Sequence, residues 1–322
     1  MTTEIYTNRP AAGIALVIIG IIAISINDML VKWLSADYPL HEIIAIRSFI
    51  GLALILAFLR FDGGLTSLRT RTPVIHILRG LCIVMANLSF YAAVAVMPLA
   101  QVTALFFVAP LFITLLSVFL LKEAVSAASI VAVCVGFLGV MVMQRPWGSG
   151  ETDTPTLVFF LPIMAAFLYA LTQTLTRKLG LTTRASAMAV YTQSIFLIIC
   201  ASMFLVAGDG RFAANTTNES LLFIVKPWIV PPTEDLLILA LLGVLSAVTV
   251  FTLTQSYRLA KAAIIAPFEY IGMPLAILLG WLVFGEWPTI EVWIGCALII
   301  GAGLYVLAHQ KAKPRPRPKV ST

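Results

Sequence analysis

The chain has 322 residues, of which 60% are hydrophobic and only 11% are charged, and its mean hydropathy is +1.00. Soluble domains carry about 25% charged residues, so we expect most of this surface to face lipid rather than water. The net charge of +6 does not indicate nucleic-acid binding, because the sequence has no basic patch interleaved with aromatic residues. Lys and Arg also accumulate in the cytoplasmic loops of membrane proteins.

Apolar runs of about 20 residues, long enough to cross a bilayer as helices, recur along the chain. They predict an all-α integral membrane protein with ten transmembrane helices. The predicted spans cover residues 12–34, 40–59, 73–96, 98–121, 127–143, 157–176, 185–207, 236–257, 263–284 and 289–308. The long connection 208–233 contains an apolar section, 221–230, that is too short to cross, so we expect it to lie at the membrane interface.

The distribution of Lys and Arg predicts how these spans are oriented. With the N-terminus in the cytoplasm, most of the 21 Lys and Arg residues fall in cytoplasmic segments, as the positive-inside rule requires. We therefore expect a multi-pass protein of the bacterial inner membrane with both termini cytoplasmic. Residues 310–322 alternate Lys or Arg with Pro and are expected to form a disordered basic tail.

Cysteine and histidine form no pattern that is typical of a metal centre or a disulfide. Each of the four cysteines lies inside an apolar run, and the three histidines lie far apart near span ends. A buried cysteine behaves as a small hydrophobic residue, so we expect no metal and no cofactor. The sequence contains no GxxxxGK[ST], HExxH or GxSxG motif, which excludes ATP hydrolysis by this chain on motif grounds.

An internal repeat predicts the architecture. Pro110 lies in the middle of the fourth predicted span and Glu123 at its exit, and Pro274 and Glu286 occupy the same places in the ninth. Because the repeat is offset by an odd number of spans, the halves must have opposite orientations in the membrane. Such inverted repeats are typical of transporters that bind substrate near the midplane. We expect repeats at residues 1–145 and 146–309.

These motifs resemble those of the drug/metabolite transporter superfamily, and within it the ten-helix EamA-type carriers, over residues 11–308. The resemblance rests on Phe107-Val108-Ala109-Pro110, Leu121-Lys122-Glu123, Ile46-Arg47-Ser48-Phe49, Arg79-Gly80 and the stretch from Pro274 to Gly285-Glu286. The segment Met97-Pro98-Leu99-Ala100 followed by Thr103-Ala104-Leu105 is similar to the branch that holds riboflavin and S-adenosylmethionine carriers. The resemblance implies a transport function and leaves the substrate open.

Ionisable residues inside the spans are the first candidates for a substrate site, because burying a charge in a bilayer costs about 2.5–3.5 kcal/mol. Asp28 and Arg47 lie at similar depths in the first two spans and could pair. Arg79 and Glu269 lie at similar depths near the opposite face. We interpret Arg79 as an ion-pair partner or as a side chain that extends toward the headgroups. Arg47 is either structural or functional, and Asp28 and Glu269 are functional candidates.

Uncharged polar and aromatic residues form a second group, on the spans that line the cavity in EamA-type carriers. Amides offer donors and acceptors and aromatic faces suit rings or cations, although each residue could instead form only an interhelical hydrogen bond. Together with the ionisable residues, the candidate substrate-binding residues are Asn27, Asp28, Arg47, Asn87, Tyr91, Gln101, Phe106, Tyr169, Gln173, Gln255, Glu269 and Tyr270.

These observations predict a secondary carrier of a small organic metabolite that works by alternating access. The candidate residues suit a zwitterion, a weak acid or an aromatic vitamin- or nucleoside-like solute. Proton coupling through a desolvated carboxyl group is one option. The alternative is gradient-independent facilitation or exchange of riboflavin- or S-adenosylmethionine-type metabolites, and an intramembrane enzyme is the alternative from another class. The expected partners are this substrate, membrane lipid and protons, with the chain acting as a monomer or homodimer.

Overall fold

The computed structural model describes residues 9–121, 131, 134–136, 138–139, 141–142, 156–180, 182–213, 216, 219–260 and 265–312. These residues form helices joined by turns and short connections. The α-helices are α1 (Pro10–Leu34), α2 (Leu40–Leu59), α3 (Pro73–Val94), α4 (Leu99–Phe106), α5 (Ala109–Leu121), α6 (Thr156–Leu179), α7 (Ala185–Ala207), α8 (Glu219–Val225), α9 (Thr233–Leu259), α10 (Gly272–Phe284) and α11 (Ile290–Ala312), and the 3₁₀ helices are Leu65–Leu68 and Ala266–Ile271.

Within the described residues, seven helical segments are long and apolar enough to cross a membrane. They coincide with the first four, the sixth, the seventh and the eighth predicted spans, and these predictions are confirmed. The ninth and tenth predicted spans correspond to the shorter apolar helices Phe268–Phe284 and Ile290–Ala302. Most of the fifth predicted span, 127–143, and residues 313–322 of the predicted tail lie outside the described residues. Residues 310–312, which were assigned to the disordered tail, instead form the last residues of α11.

Two predicted spans are interrupted in the middle. The fourth consists of α4 and α5, separated at Phe107 and Val108, and the ninth consists of the 3₁₀ helix Ala266–Ile271 followed by α10. Pro110 and Pro274 each lie in the first turn of the second piece. Proline is tolerated there because the first amide groups of a helix have no intrahelical acceptor, whereas it disrupts a continuing helix. The regular α-helical hydrogen bonding therefore changes at corresponding places in the two spans.

Helices from the first part of the chain pack mainly on helices from the second. α1 packs on α9, α3 on α6, and α2 on both α7 and α9, while α4 contacts α10 and α5 contacts α6. Small residues allow the closest approaches. A Cβ atom added at Gly20 would lie 2.7 Å from Thr252 Oγ1, and one added at Gly243 would lie 2.5 Å from the Ile50 side chain. The buried core consequently lies between the two parts.

The connection between α7 and α9 covers one end of the bundle, which we call the α1–α2 end. It contains α8, which is too short to span, as predicted. Lys226 Nζ donates to Ala36 O at 2.7 Å, and the Tyr38 hydroxyl donates to Asp235 Oδ2 at 2.5 Å. Burial of Tyr38, together with this hydrogen bond, raises its pKa to about 12. These contacts fix the connection against the turn that joins α1 to α2.

Candidate functional site

Two adjoining cavities lie inside the bundle. The first is lined by Arg47 and Arg79, and we call it the cationic cavity. The second is lined by Asp28 and Glu269, and we call it the acidic cavity. The residues that line both are Ile24, Ile83, Asn87, Tyr91 and Tyr169. The two cavities therefore form neighbouring compartments with opposite charges.

Arg47 is held in the wall of the cationic cavity by hydrogen bonds to neutral groups. Its Nη1 donates to Asn27 Oδ1 at 2.7 Å and to the Tyr91 hydroxyl at 3.1 Å, and its Nη2 donates to Asn87 Oδ1 at 2.6 Å. The guanidinium carbon lies 6.0 Å from the centre of the Phe196 ring. The side chain is only 5% exposed, so these contacts fix its orientation inside the bundle.

Arg79 occupies the same cavity and corrects our interpretation from sequence. It is 3% exposed, which excludes extension toward the headgroups, and no carboxylate among the described residues lies within ion-pair distance. Its Nε donates to Thr176 Oγ1 at 2.6 Å and its Nη1 to Thr192 Oγ1 at 2.8 Å. Nη2 donates to Thr254 Oγ1 at 3.3 Å. Three threonine hydroxyls, from three helices, hold a buried positive charge.

Asp28 and Arg47 do not form the ion pair that the sequence suggested. The Tyr91 hydroxyl lies between them, where it donates to Asp28 Oδ1 at 2.7 Å and accepts from Arg47 Nη1. Depth along a helix does not determine the direction in which a side chain projects, so equal depth was not sufficient for contact. The tyrosine connects the acidic residue of one cavity to the cation of the other.

Glu269 lies on the 3₁₀ helix Ala266–Ile271, in the interrupted ninth span, and is 2% exposed. Its Oε1 accepts hydrogen bonds from the Tyr169 hydroxyl at 3.0 Å and the Tyr257 hydroxyl at 2.5 Å. Arg79, which the sequence places at a similar depth, is bound elsewhere. Within the described part of the chain, Glu269 is thus held by neutral donors.

Aromatic rings form much of the wall of the acidic cavity. Phe106 contacts Phe90 with ring centres 5.3 Å apart and Tyr169 with ring centres 5.2 Å apart. Phe107, at the break between α4 and α5, also lines this cavity and packs on Tyr270 at 5.7 Å. Such a wall offers both ring faces and ring edges to a flat solute.

Most of the candidate residues predicted from sequence come together at these cavities. Three do not line either one: Gln101, Gln255 and Tyr270. Gln255 instead accepts a hydrogen bond from Arg258 at 2.9 Å. Tyr270 is buried, and its hydroxyl has no partner among the described residues. These three residues therefore do not contribute to the walls of the two cavities.

The hydroxyl-bearing residues of the cationic cavity were missed. Thr172, Thr192, Ser246, Thr249 and Thr254 all contribute to its wall. In sequence, a hydroxyl within an apolar span is commonplace, because it can bond to its own helix backbone. The available signal was the clustering of threonines near the end of the sixth span. Among the described residues, no group of three or more His, Cys, Asp or Glu side chains could hold a metal ion.

Comparison with known proteins identifies the family. Residues 11–145 match the EamA-like transporter family. A riboflavin transporter of Brucella anthropi is 30% identical over 267 residues, which cover 83% of this chain and 87% of the relative. An S-adenosylmethionine uptake transporter of Rickettsia prowazekii is 25% identical over 299 residues, 93% of each chain.

A solved structure shares the fold of this chain. A crystal structure of a protein that is 18% identical superimposes with a TM-score of 0.68, covering 94% of this chain and 99% of the other. The match to Brucella anthropi extends over most of both chains at 30% identity, and the resemblance noted in the sequence is confirmed. The chain belongs to the EamA-like transporter family and is a multi-pass membrane transporter rather than an enzyme.

Proposed function

We propose that this transporter is a secondary carrier of a small organic metabolite and works by alternating access. The observation that carries the proposal is the pair of adjoining cavities, with Arg47 and Arg79 in one and Asp28 and Glu269 in the other. Isolated charges inside a membrane protein are costly and commonly mark a substrate or ion pathway. The relatives named as riboflavin and S-adenosylmethionine transporters support a solute of metabolite size.

The packing of the helices supports an inverted repeat. If α1, α2 and α3 correspond to α6, α7 and α9, the contact of α1 with α9 corresponds to that of α6 with α3. The contact of α2 with α9 likewise corresponds to that of α7 with α3. The broken fourth and ninth spans correspond as well, and interrupted helices of this kind form the binding sites of many carriers. In this arrangement, the two cavities lie where the repeats meet.

Substrate flux into sealed proteoliposomes containing only this protein tests the proposal. Liposomes preloaded with an unlabelled metabolite should accumulate the same labelled metabolite by counterflow, with riboflavin, S-adenosylmethionine and amino acids tested in turn. Protein-free liposomes and liposomes with an unrelated membrane protein provide the background. Absence of counterflow for all of these solutes, with protein shown to be folded, would contradict a carrier function for this class of metabolite.

Transport by this carrier is either coupled to protons or independent of a gradient. Glu269 is a buried carboxyl group whose described partners are two tyrosine hydroxyls, and this environment favours a role in proton exchange as conformations alternate. Gradient-independent facilitation or exchange is the second option. The same liposomes, with and without an imposed pH gradient, distinguish the two.

A further inference from the structure

We propose that the site binds an amphoteric metabolite in one orientation, with a carboxylate in the cationic cavity and a hydrogen-bond-donating ring or amine in the acidic cavity. This inference rests on the proposed carrier function and assigns the substrate class. Among the described residues that line the two cavities, both cations belong to one and both carboxylates to the other. A solute with a negative group at one end and a donor or positive group at the other would match the arginines in one cavity and the carboxylates in the other.

The guanidinium groups provide the first argument. Arg79 and Arg47 are 3% and 5% exposed, and the described residues that accept hydrogen bonds from them are all neutral. A buried cation without an opposite charge, which is the situation of Arg79 among the described residues, is unfavourable, and an anion that enters the cavity would relieve that cost. Guanidinium groups also match the planar geometry of a carboxylate. The cationic cavity is therefore suited to a carboxylate.

Two unpartnered groups provide a second, independent argument. The Nε of Arg47 and the hydroxyl of Thr249 are buried and form no hydrogen bond with any described residue. Both residues line the cationic cavity, and Thr249 is only 8% exposed. Buried polar groups without partners are uncommon in folded proteins. An anion bound in the cavity would supply acceptors for donors of this kind.

The acidic cavity presents acceptors and ring faces instead. Asp28 Oδ1 and Glu269 Oε1 accept from tyrosines, whereas Asp28 Oδ2 and Glu269 Oε2 accept from no described residue. Phe90 and Phe106 lie beside them in the same wall. Ring N–H groups or an amine would donate to the carboxylates, and a flat ring would pack on the phenylalanines. A neutral flavin has no carboxylate to offer to the cationic cavity.

Matched pairs of metabolites test the orientation. Binding to the purified full-length protein in detergent is measured for tryptophan and tryptamine, histidine and histamine, and S-adenosylhomocysteine and its decarboxylated amine, with riboflavin as the neutral comparison. At least one acid should bind, about ten-fold or more tightly than its partner that lacks the carboxylate. Equal binding within the pairs, binding of riboflavin alone, or binding of none of the acids would overturn the proposal.

Variants locate the carboxylate. Arg79→Gln should weaken binding of the acid about ten-fold and leave its counterpart without the carboxylate unchanged. Thr249→Val, which removes one hydroxyl at nearly constant volume, should act in the same direction if Arg79→Gln does not fold. Arg184→Gln, whose arginine pairs with Asp62 at the protein surface, is the matched control. Equal loss for both members of a pair would refute the assignment, whereas counterflow of riboflavin would still support the carrier function.

Discussion

Lys32 and Glu286 form an ion pair that joins the last turn of α1 to the connection between α10 and α11. Lys32 Nζ also donates to Met97 O at 3.2 Å, and Glu286 Oε2 accepts from the Leu99 amide at 3.0 Å. The glutamate therefore caps the start of α4 rather than the end of its own helix. That end is formed by Gly285, in the left-handed conformation with φ +66°. We call this set of contacts the Lys32–Glu286 cluster.

Glu286 both pairs with Lys32 and caps the start of α4, so substitutions in the Lys32–Glu286 cluster should lower stability by unequal amounts. Lys32→Met and Glu286→Gln each remove one charge, and the glutamine retains an acceptor for Leu99. Glu286→Leu removes the charge and the cap together. Hydrogen bonds to charged groups contribute about 1.5–3 kcal/mol and helix caps about 1 kcal/mol. We expect Glu286→Leu to lower thermal stability in detergent more than either of the other variants.

The double variant Lys32→Met with Glu286→Gln should lose less stability than the two single losses combined, because each single change leaves a partly buried charge without its partner. Glu234→Gln, at the exposed start of α9, serves as the control for loss of an acidic residue. Strictly additive losses at Lys32 and Glu286 would show that their contact contributes no coupling.

Tyr91 is expected to transmit the coupling between Asp28 and Arg47. Removing either charge alone, by Asp28→Asn or Arg47→Gln, should lower stability, and the double variant should recover part of the loss. Because the Tyr91 hydroxyl lies between the two groups, Tyr91→Phe should itself cost about 1–3 kcal/mol. In the Tyr91→Phe background, the interaction energy between Asp28 and Arg47 should largely disappear.

Thermal unfolding of the complete set of single, double and triple variants measures this interaction. Tyr191→Phe is a suitable control, because it removes a tyrosine hydroxyl that lies outside both cavities and donates to Leu68 O. The coupling should persist in that background. An unchanged coupling energy after Tyr91→Phe would show that the charges interact directly through space.

The spans were predictable because a bilayer imposes a length and a composition on each helix. The bounds predicted for the second and seventh spans are those of α2 and α7. The interruption of the fourth span was not predicted. Pro110 and Pro274 permit a break, but hydropathy is the same whether the helix continues or restarts. Only the packing of neighbouring helices determines which of the two occurs.

Most of the site residues proposed from the sequence line the two cavities, whereas the contacts between them were not predicted. Asp28, Arg47 and Glu269 were found because a charge in an apolar span stands out in the sequence. Arg79 was assigned the wrong environment, since the threonines that bind it are 97, 113 and 175 residues away in the chain. No local pattern connects residues at such separations. Sequence periodicity also does not predict how far each helix is rotated about its axis. The position of the Tyr91 side chain depends on that rotation.

The predicted orientation can be tested by labelling exposed positions at opposite ends of the bundle. In a variant without the four native cysteines, Cys at Asp37 or Asp209 should react with a membrane-impermeant maleimide in intact cells. Cys at Thr66 or Thr182 should react only after the membrane is permeabilised. All four positions are exposed in the structure, so lack of reaction would reflect the side of the membrane. The opposite pattern would invert the topology.

Proton coupling is expected to depend on Glu269. In Glu269→Gln, the side-chain carbonyl can still accept from Tyr169 and Tyr257, so the fold should be retained while the exchangeable proton is lost. Wild-type protein in proteoliposomes should accumulate substrate when a pH gradient is imposed. The variant should retain counterflow but lose gradient-driven accumulation, because only the latter requires a proton to be bound and released in each cycle.

Three outcomes of this measurement separate the possible roles of the Glu269 carboxylate. If wild-type uptake does not respond to the gradient, the protein is a facilitator or exchanger and Glu269 is structural. If Glu269→Gln loses counterflow as well, the carboxylate is needed for substrate binding or conformational change, and the specific role in coupling is wrong. Loss of accumulation alone supports the proton role, provided that Glu234→Gln, which changes an exposed carboxylate, accumulates substrate as the wild type does.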